Sequence, residues 1–513
     1  MTTYIRPADP TTLLTEGRRR RELDRLAAGT RVDVLVVGGG VTGTGVALDA
    51  ASRGLSVALI EAHDLAFGTS RWSSKLVHGG LRYLASGQIG VAWESAVERA
   101  RIMSAIAPHL SHPMAQLIPI MDDTTPLERR LAAGGFRAGD VLRRATRLGH
   151  QLLPSPRRLS ATETSRLVPA LAGDRLRGGL LGWDGQLEDD ARLVVALART
   201  AAAYGAMILP RCRAELIHPD GAVVTDGLSG DAVEIRARDV INATGVWAGE
   251  LDGRVHLQPS LGSHVVLRAE TLGNPTAALT VAVPGHLGRF VFALPQPNGL
   301  VYVGLTDEVL DGPIPDRPTA PAADIEWILD ILSGPLRRRL TGADAVGSYA
   351  GVRPLVAASG ASSDISRRHI VIGKPGEVIT VTGGKLTTYR RMAQDAVDRI
   401  SQVPCRTASL PLVGAGRVAA ASGLPDRLVR RFGTEAAAVA ALAQGRPELL
   451  TPLAVVDGRP VDVLGVELLW GIQAEGALSL EDLLERRTRV SLVPQDLAAV
   501  RPAAQAVVGA AFT

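Results

Sequence analysis

The run Val32-Asp33-Val34-Leu35-Val36-Val37 leads into Gly38-Gly39-Gly40-Val41-Thr42-Gly43 and then into a small-residue helical stretch over 44–53. A second apolar run over 55–60 ends in Glu61. Strand, glycine turn, helix, second strand and terminal acid within about 30 residues form a complete dinucleotide-binding unit. Gly38 permits the tight turn, Gly40 lets the backbone approach a pyrophosphate, and Gly43 lets helix and strand pack closely. The helix that follows the turn, in which Val41 and Thr42 also lie, points its free N–H groups at the phosphates. Glu61 can accept from both ribose hydroxyls, and its charge disfavours a 2′-phosphate.

Two further segments are dense in polar chemistry. Phe67-Gly68-Thr69-Ser70-Arg71-Trp72-Ser73-Ser74-Lys75-Leu76-Val77-His78-Gly79-Gly80-Leu81-Arg82-Tyr83-Leu84 interrupts a strongly apolar region. Glycine, hydroxyls and charges at that density fold against a core only at a cost, unless a polar ligand satisfies them. Gly383-Gly384-Lys385-Leu386-Thr387-Thr388-Tyr389 is a second glycine turn opening a helix through 400. Backbone N–H groups, a positive dipole end and an ammonium meet there. Only three of the 56 basic residues are lysine (Lys75, Lys374 and Lys385), and two of these fall inside those segments. A lysine that survives so strong an arginine bias suits a place where a planar guanidinium does not fit.

A chain of 513 residues exceeds one core, so two or three domains are expected. With 46% hydrophobic and 21% charged residues the composition is that of a soluble globular protein. No window offers about 18 uninterrupted apolar residues, and the N-terminal stretch lacks a signal-peptide pattern. Cys212 and Cys405 form no metal or redox motif, and their rarity suits a reducing cytoplasm. Net charge is +4, with arginine clusters at 18–21, 129–130, 143–147 and 157–158. These suit either solvated helix faces or attraction to an anionic membrane surface. With 4% aromatic residues and no stacking motif, nucleic acid is not an expected partner.

Organisation along the chain predicts an α/β protein. Residues 1–30 read as a polar, helix-forming arm. A Rossmann-like domain is split over 31–110, 183–250 and 345–400, with a substrate-side cap at 111–182 and 251–344. Short apolar runs in the cap suggest an antiparallel sheet. Residues 401–513 read as a helical domain. The strand ending in Asn242-Ala243-Thr244-Gly245 resembles the turn beneath the dinucleotide in flavoproteins with two dinucleotide domains. A cofactor threaded by several distant segments points to FAD rather than to NAD, whose module is usually contiguous.

Several blocks closely resemble motifs of FAD-dependent glycerol-3-phosphate dehydrogenases, in the right order over about 31–415. They are residues 73–84 within the polar segment above, Asp189-Asp190-Ala191-Arg192-Leu193-Val194, Asn242-Ala243-Thr244-Gly245, Gly262-Ser263-His264, Gly351-Val352-Arg353-Pro354-Leu355 and residues 383–390. The resemblance implies an amino-acid-oxidase-like fold with a C-terminal helical domain. It implies oxidation of sn-glycerol 3-phosphate to dihydroxyacetone phosphate, with electrons passed to a membrane quinone. Two departures lie on the substrate side: Leu261 where relatives often carry lysine, and Leu305 in Gly304-Leu305-Thr306-Asp307 where they often carry threonine.

The implied substrate gives each residue a role. A phosphate dianion in a partly buried pocket requires fixed positive charge, and arginine's fork matches phosphate oxygens in pairs. Arg82, Arg353 and Arg367 are the residues expected to bind it. Tyr83 either adds a hydroxyl donor or packs beside Leu81 and Leu84. His264 is the expected acceptor of the hydroxyl proton, because imidazole is largely neutral at working pH. Lys385 faces the charge that builds on reduced flavin and can reach the substrate hydroxyl. Arg353 and Lys385 stand beside His264 as alternative proton-handling groups.

The cofactor set comprises Gly38, Gly40, Val41, Thr42, Gly43, Glu61, Thr69, Ser70, Ser73, Ser74, Lys75, His78, Gly79 and Gly80. Ala243, Thr244, Gly245, Gly383, Gly384, Lys385, Leu386 and Thr387 complete it. His78 is expected to order the flavin-side loop, whereas Asp184, Asp189 and Asp190 receive no catalytic role. No metal is expected. The expected setting is the cytoplasm, peripheral on the inner face of the membrane, and a homodimer is compatible with the sequence. Three rivals stay open: an oxygen-using oxidase, a flavoenzyme acting on an amino or 2-hydroxy acid, and a non-catalytic flavin-binding protein.

Overall fold

A computed structural model describes residues 6, 8–80, 88–286, 288–356, 368–416 and 423–509. Eight of the described strands form one sheet and ten form a second. The first is built on Val32–Val37, whose neighbours Val57–Glu61 and Ala232–Asn242 both run parallel to it. Val34, Leu35 and Val36 have no exposed surface, as a strand covered on both faces requires. Met207–Pro210 extends the parallel sheet on one side and Ile379–Gly383 on the other, and His369–Ile372 closes that edge antiparallel.

Helix Val41–Ser52 lies on this sheet between Asp190–Ala203 and Tyr389–Val397. Its glycines and alanines bring the backbones close: a Cβ at Gly45 would lie 2.9 Å from the Tyr389 ring. The expected N-terminal arm is part of the sheet's cover. Helix Glu16–Ala27 buries Leu23 and Leu26, and Arg19 reaches Asp226 at 2.5 Å.

The second sheet is mostly antiparallel. Its spine is Leu257–Arg268, flanked by Leu300–Gly304 on one side and Ala345–Val356 on the other. Two strands fall across the expected domain limits. Leu176–Leu187 pairs along its whole length with Ser111–Met121, so the substrate sheet runs past 183, and Ala345–Val356 belongs to this sheet rather than to the dinucleotide domain. The first carries four glycines. They are there for packing: a Cβ at Gly182 would sit 2.6 Å from Phe136, and one at Gly179 2.8 Å from Leu117.

The C-terminal region is helical: Gly465–Ala474 and Pro494–Val508 enclose a core that includes Leu468, Leu483 and Val500, and Asp426–Phe432 joins a second one through Leu428 and Phe432, with Val466 and Trp470. Much of its attachment is ionic and buried. Asp64 accepts from Arg486 at 2.6 Å and from Arg487 at 2.9 Å. Arg431 reaches Asp189, Arg199 pairs with Glu435 and Arg192 with Glu475. Buried pairs of this kind specify one docking geometry, because breaking any of them strands a charge in the interior.

Candidate functional site

A cavity of about 700 Å³ opens where the two sheets meet. At one end Gly38 turns the chain with φ of +111°, and a Cβ there would lie 2.6 Å from the Ala243 carbonyl oxygen. A Cβ on Gly43 would lie 1.9 Å from the Gly38 carbonyl oxygen. The turn therefore accepts no larger residue. Helix Val41–Ser52 begins at Gly40 without a side-chain cap, which leaves its first-turn N–H groups for an anion that the cavity would hold. Val41 is the exception, donating to Ser70 Oγ at 2.9 Å. Gly43→Ala should leave protein purified without its yellow cofactor, read as the ratio of visible to ultraviolet absorbance; an unchanged ratio would contradict this cradle.

Glu61 ends its strand at the cavity wall, where its oxygens accept from Gly39 N–H at 2.6 Å and His63 N–H at 2.8 Å. Burial raises its pKa, and the two backbone donors oppose the shift. Each carboxylate oxygen keeps a lone pair for a ribose hydroxyl. Ala243, Thr244 and Gly245 form the floor, with Thr244 Oγ1 fixed to Asn242 at 2.7 Å.

His264, Arg353 and Lys385 reach the cavity from three separate strands and turns. The imidazole lies flat on Tyr349, centroids 4.5 Å apart at 8°, and its Nε2 is 2.8 Å from Ser74 Oγ. Burial, with Lys75 and Arg353 nearby, holds its pKa well below the usual histidine value, so the ring is neutral. Neighbouring glycines make room for both groups. His264 covers Gly304, where a Cβ would be 2.6 Å from the ring, and the Arg353 guanidinium covers Gly262, where it would be 2.0 Å away. Arg353 is held by Asp307 at 2.8 Å, Ser260 at 3.3 Å and the Thr306 carbonyl at 3.2 Å. Lys385 donates to Ser95 at 3.1 Å, after the left-handed pair Gly383 and Gly384.

Most of the expected cofactor residues line this space: Gly38, Gly40, Val41, Thr42, Glu61, Thr69, Ser70, Ser73, Ser74 and His78, with 243–245 and 383–387. Gly43, Gly79 and Gly80 stand behind the wall, Gly79 N–H bonding Asp184 at 3.0 Å. Lys75 departs from its expected place. It does not line the cavity; its ammonium is buried and paired with Asp190 at 2.9 Å. The reason is the loop: the same Asp190 accepts from Ser73 N–H and Ser73 Oγ, and Lys75 donates back to the Arg71 and Ser73 carbonyls. Burial lowers the Lys75 pKa to about 8, and Asp190 opposes that shift. Lys75→Met removes the ammonium nearest the buried Asp190 carboxylate and should destabilise the protein by about 3–5 kcal/mol, seen as a lower denaturant midpoint.

The sequence also left out residues that matter. Asp184 lines the cavity and is gripped by Arg99 at 2.7 Å, and Tyr349 both stacks on His264 and donates to the Ser73 carbonyl at 3.1 Å. Asp184 sits beside a run of acids that resembles an ordinary helix start. Tyr349 becomes visible only through strand register, which sets it opposite His264. Arg82, Tyr83 and Arg367 lie outside the described residues.

The donor set fits FAD. The glycine turn that any Cβ would fill meets the diphosphate's need for close backbone approach, and Glu61 suits the ribose. At the far end the buried Thr387 hydroxyl lines the cavity without a hydrogen-bond partner among the described residues. A parallel sheet carrying this cradle, joined to an antiparallel sheet carrying His264 and Arg353, defines a flavin-dependent oxidoreductase.

The family described as FAD dependent oxidoreductase matches residues 33–398, and the C-terminal domain of alpha-glycerophosphate oxidase matches 405–512. Glycerol-3-phosphate dehydrogenase 1 of Mycobacterium tuberculosis is 48% identical over 500 residues, covering 94% of this chain and 96% of that protein. Glycerol-3-phosphate dehydrogenase of Mycobacterium leprae is 38% identical over 494 residues, covering 90% and 81%. The crystal structure of a Bacillus halodurans glycerol-3-phosphate dehydrogenase complexed with FAD superposes with a TM-score of 0.73 at 27% identity, covering 98% of this chain and 95% of that one. The chain belongs to the FAD-dependent glycerol-3-phosphate dehydrogenase family.

Proposed function

We propose that this enzyme oxidises sn-glycerol 3-phosphate to dihydroxyacetone phosphate, in glycerol and glycerophospholipid metabolism, and passes the electrons to a membrane quinone. The observation that carries it is one cavity holding a dinucleotide cradle at one end and a neutral histidine beside an arginine and a lysine at the other. Bound FAD supplies the hydride acceptor. The cradle residues would hold its diphosphate and Glu61 its ribose.

The protein's own groups do the rest. Arg353, fixed by Asp307, offers a planar pair of donors to a phosphate, and Arg82 and Arg367 are proposed to complete that grip. The uncharged His264 can take the hydroxyl proton at Nε2, the atom bonded to Ser74 Oγ. Without such a base the alcohol holds its proton at working pH, and a positioned one contributes about 10²- to 10⁴-fold. Lys385 and the adjoining helix start set positive potential against the cavity, favouring whatever charge builds there. Tyr349 and the Lys75–Asp190 pair fix the imidazole and the 73–75 loop.

The pH dependence follows from the depressed His264 pKa. A base whose folded pKa lies below 6.5 stays unprotonated until the pH falls beneath that value, so the acid limb that this base gives to kcat/KM should lie below pH 6.5. A limb at or above it would assign proton transfer to another group. The reaction itself is tested by product and acceptor. Dihydroxyacetone phosphate should form in step with reduction of a quinone analogue, and peroxide should not accumulate in air. Transfer to oxygen is the second reading, favoured by the name of the family matched at 405–512; rapid peroxide release would establish it.

A further inference from the structure

Among the described residues the C-terminal region gives the cavity no wall, since all that line it lie at or before Met392. One turn of that region, 485–489, nevertheless stands directly behind the wall. Arg71 is the link. Its guanidinium is buried and does not line the cavity, but it lies 5.1 Å from the Phe67 ring centroid and 4.3 Å from that of Trp72. Both of those residues do line it. The only hydrogen-bond acceptor of the Arg71 guanidinium among the described residues is Glu485, at 2.8 Å, while its Nε and Nη2 have none. Burial, with Arg486 nearby, lowers the Arg71 pKa to about 10, and Glu485 opposes that shift.

The same turn reaches two more stretches of wall. Arg486 and Arg487 hold the buried Asp64, three residues past Glu61. Burial pushes the Asp64 pKa up, but the two guanidiniums outweigh it and bring the value to about 2. The Asp64 carbonyl accepts from Phe67 N–H at 3.1 Å, and Ala66 N–H donates to the Gly39 carbonyl at 3.0 Å. Asp64 therefore steadies a loop that lies against the glycine turn. Arg489 donates to the Arg71 carbonyl and lies 5.3 Å from the Trp72 ring. Glu485 also meets Arg317 at 3.0 Å, next to the cavity-lining Asp316. Without Glu485, Arg71 would face Arg486 in the interior with no acceptor. It would have to move toward water, and the two rings it covers would move with it.

We infer that Glu485 is a positioning residue for the flavin: turn 485–489 sets the 64–74 wall in its binding shape, so the C-terminal region controls how tightly FAD is held. The inference rests on the reading of this cavity as the FAD site. It assigns the C-terminal region a task that attachment alone does not require.

The test measures free FAD over the holoenzyme by ultrafiltration, well below the unfolding transition. Glu485→Ala should raise the FAD dissociation constant about tenfold or more, because a wall in place only about one-tenth of the time weakens binding by that factor. Glu485→Gln keeps one acceptor for Arg71 and should raise the constant less, and it serves equally if Glu485→Ala does not fold. Arg268→Met is the control for attachment alone. It breaks the 2.6 Å pair with Asp496 that ties helix Pro494–Val508 to the antiparallel sheet, at a residue that does not line the cavity. It should lower the denaturant midpoint and leave the dissociation constant unchanged. An unchanged constant in the folded Glu485 variants would overturn the inference. So would an equal rise in Arg268→Met, which would reduce the effect to a general loss of stability. Gly43→Ala that holds FAD as tightly as the unaltered protein would instead count against the cradle, and a rise confined to the Glu485 variants would still support the role of the turn.

Discussion

His264→Ala should lower kcat about 10²- to 10⁴-fold while the purified protein stays yellow. The ring lies between Tyr349 and Gly304 with Nε2 on Ser74, and none of these contacts is with the glycine turn, Glu61 or the 243–245 floor. Flavin content should therefore be unchanged, and the loss should fall on turnover rather than on binding. Exogenous imidazole should restore part of the rate in a pH-dependent manner, because the vacated space adjoins the cavity. Wild-type turnover in His264→Ala would remove the base assignment. Turnover lost together with flavin would show that the ring supports structure rather than proton transfer.

Arg353→Ala should be nearly as damaging, but to a different constant. Removing one partner from a desolvated charge-assisted contact costs about 2–5 kcal/mol, and that is about 30- to 5,000-fold in kcat/KM. The loss should appear mainly as a raised KM for glycerol 3-phosphate, with little change for glycerol, which has no phosphate to grip. Asp307, left without its guanidinium, adds a like charge where the dianion should sit. Arg353→Lys should recover only part of the loss, since an ammonium cannot offer paired, coplanar donors. Equal losses for both substrates would dissociate Arg353 from the phosphate.

What the sequence made legible follows from how local the physics is. The cradle could be read because its parts are contiguous: an apolar strand, three glycines, a small-residue helix and Glu61 at the end of the next strand. Gly262 and Gly304 were visible as glycines, but their purpose was not, because His264 and Arg353 cover them across strand pairings fixed by tertiary register. Lys75 stood out by rarity yet was assigned to the wrong side of its loop. Its partner Asp190 is more than one hundred residues away, and only the fold turns that helix start toward Ser73. Strand Leu176–Leu187 crosses the expected boundary at 182–183, because its glycines relieve contacts with Phe136 and Leu117 that only the fold reveals. Two arginines of the C-terminal region have a similar explanation: Arg486 and Arg487 are buried against Asp64 rather than displayed to solvent.

The proposal stands or falls on electrons passing from a phosphorylated alcohol to a flavin held between the two sheets. Glycerol 3-phosphate added to the purified, oxygen-free protein should bleach the visible flavin bands within the mixing time of a turnover, and His264→Ala should bleach far more slowly from the same starting spectrum. A yellow protein whose spectrum is unmoved by glycerol 3-phosphate, yet is bleached by an amino acid or a 2-hydroxy acid, would contradict it.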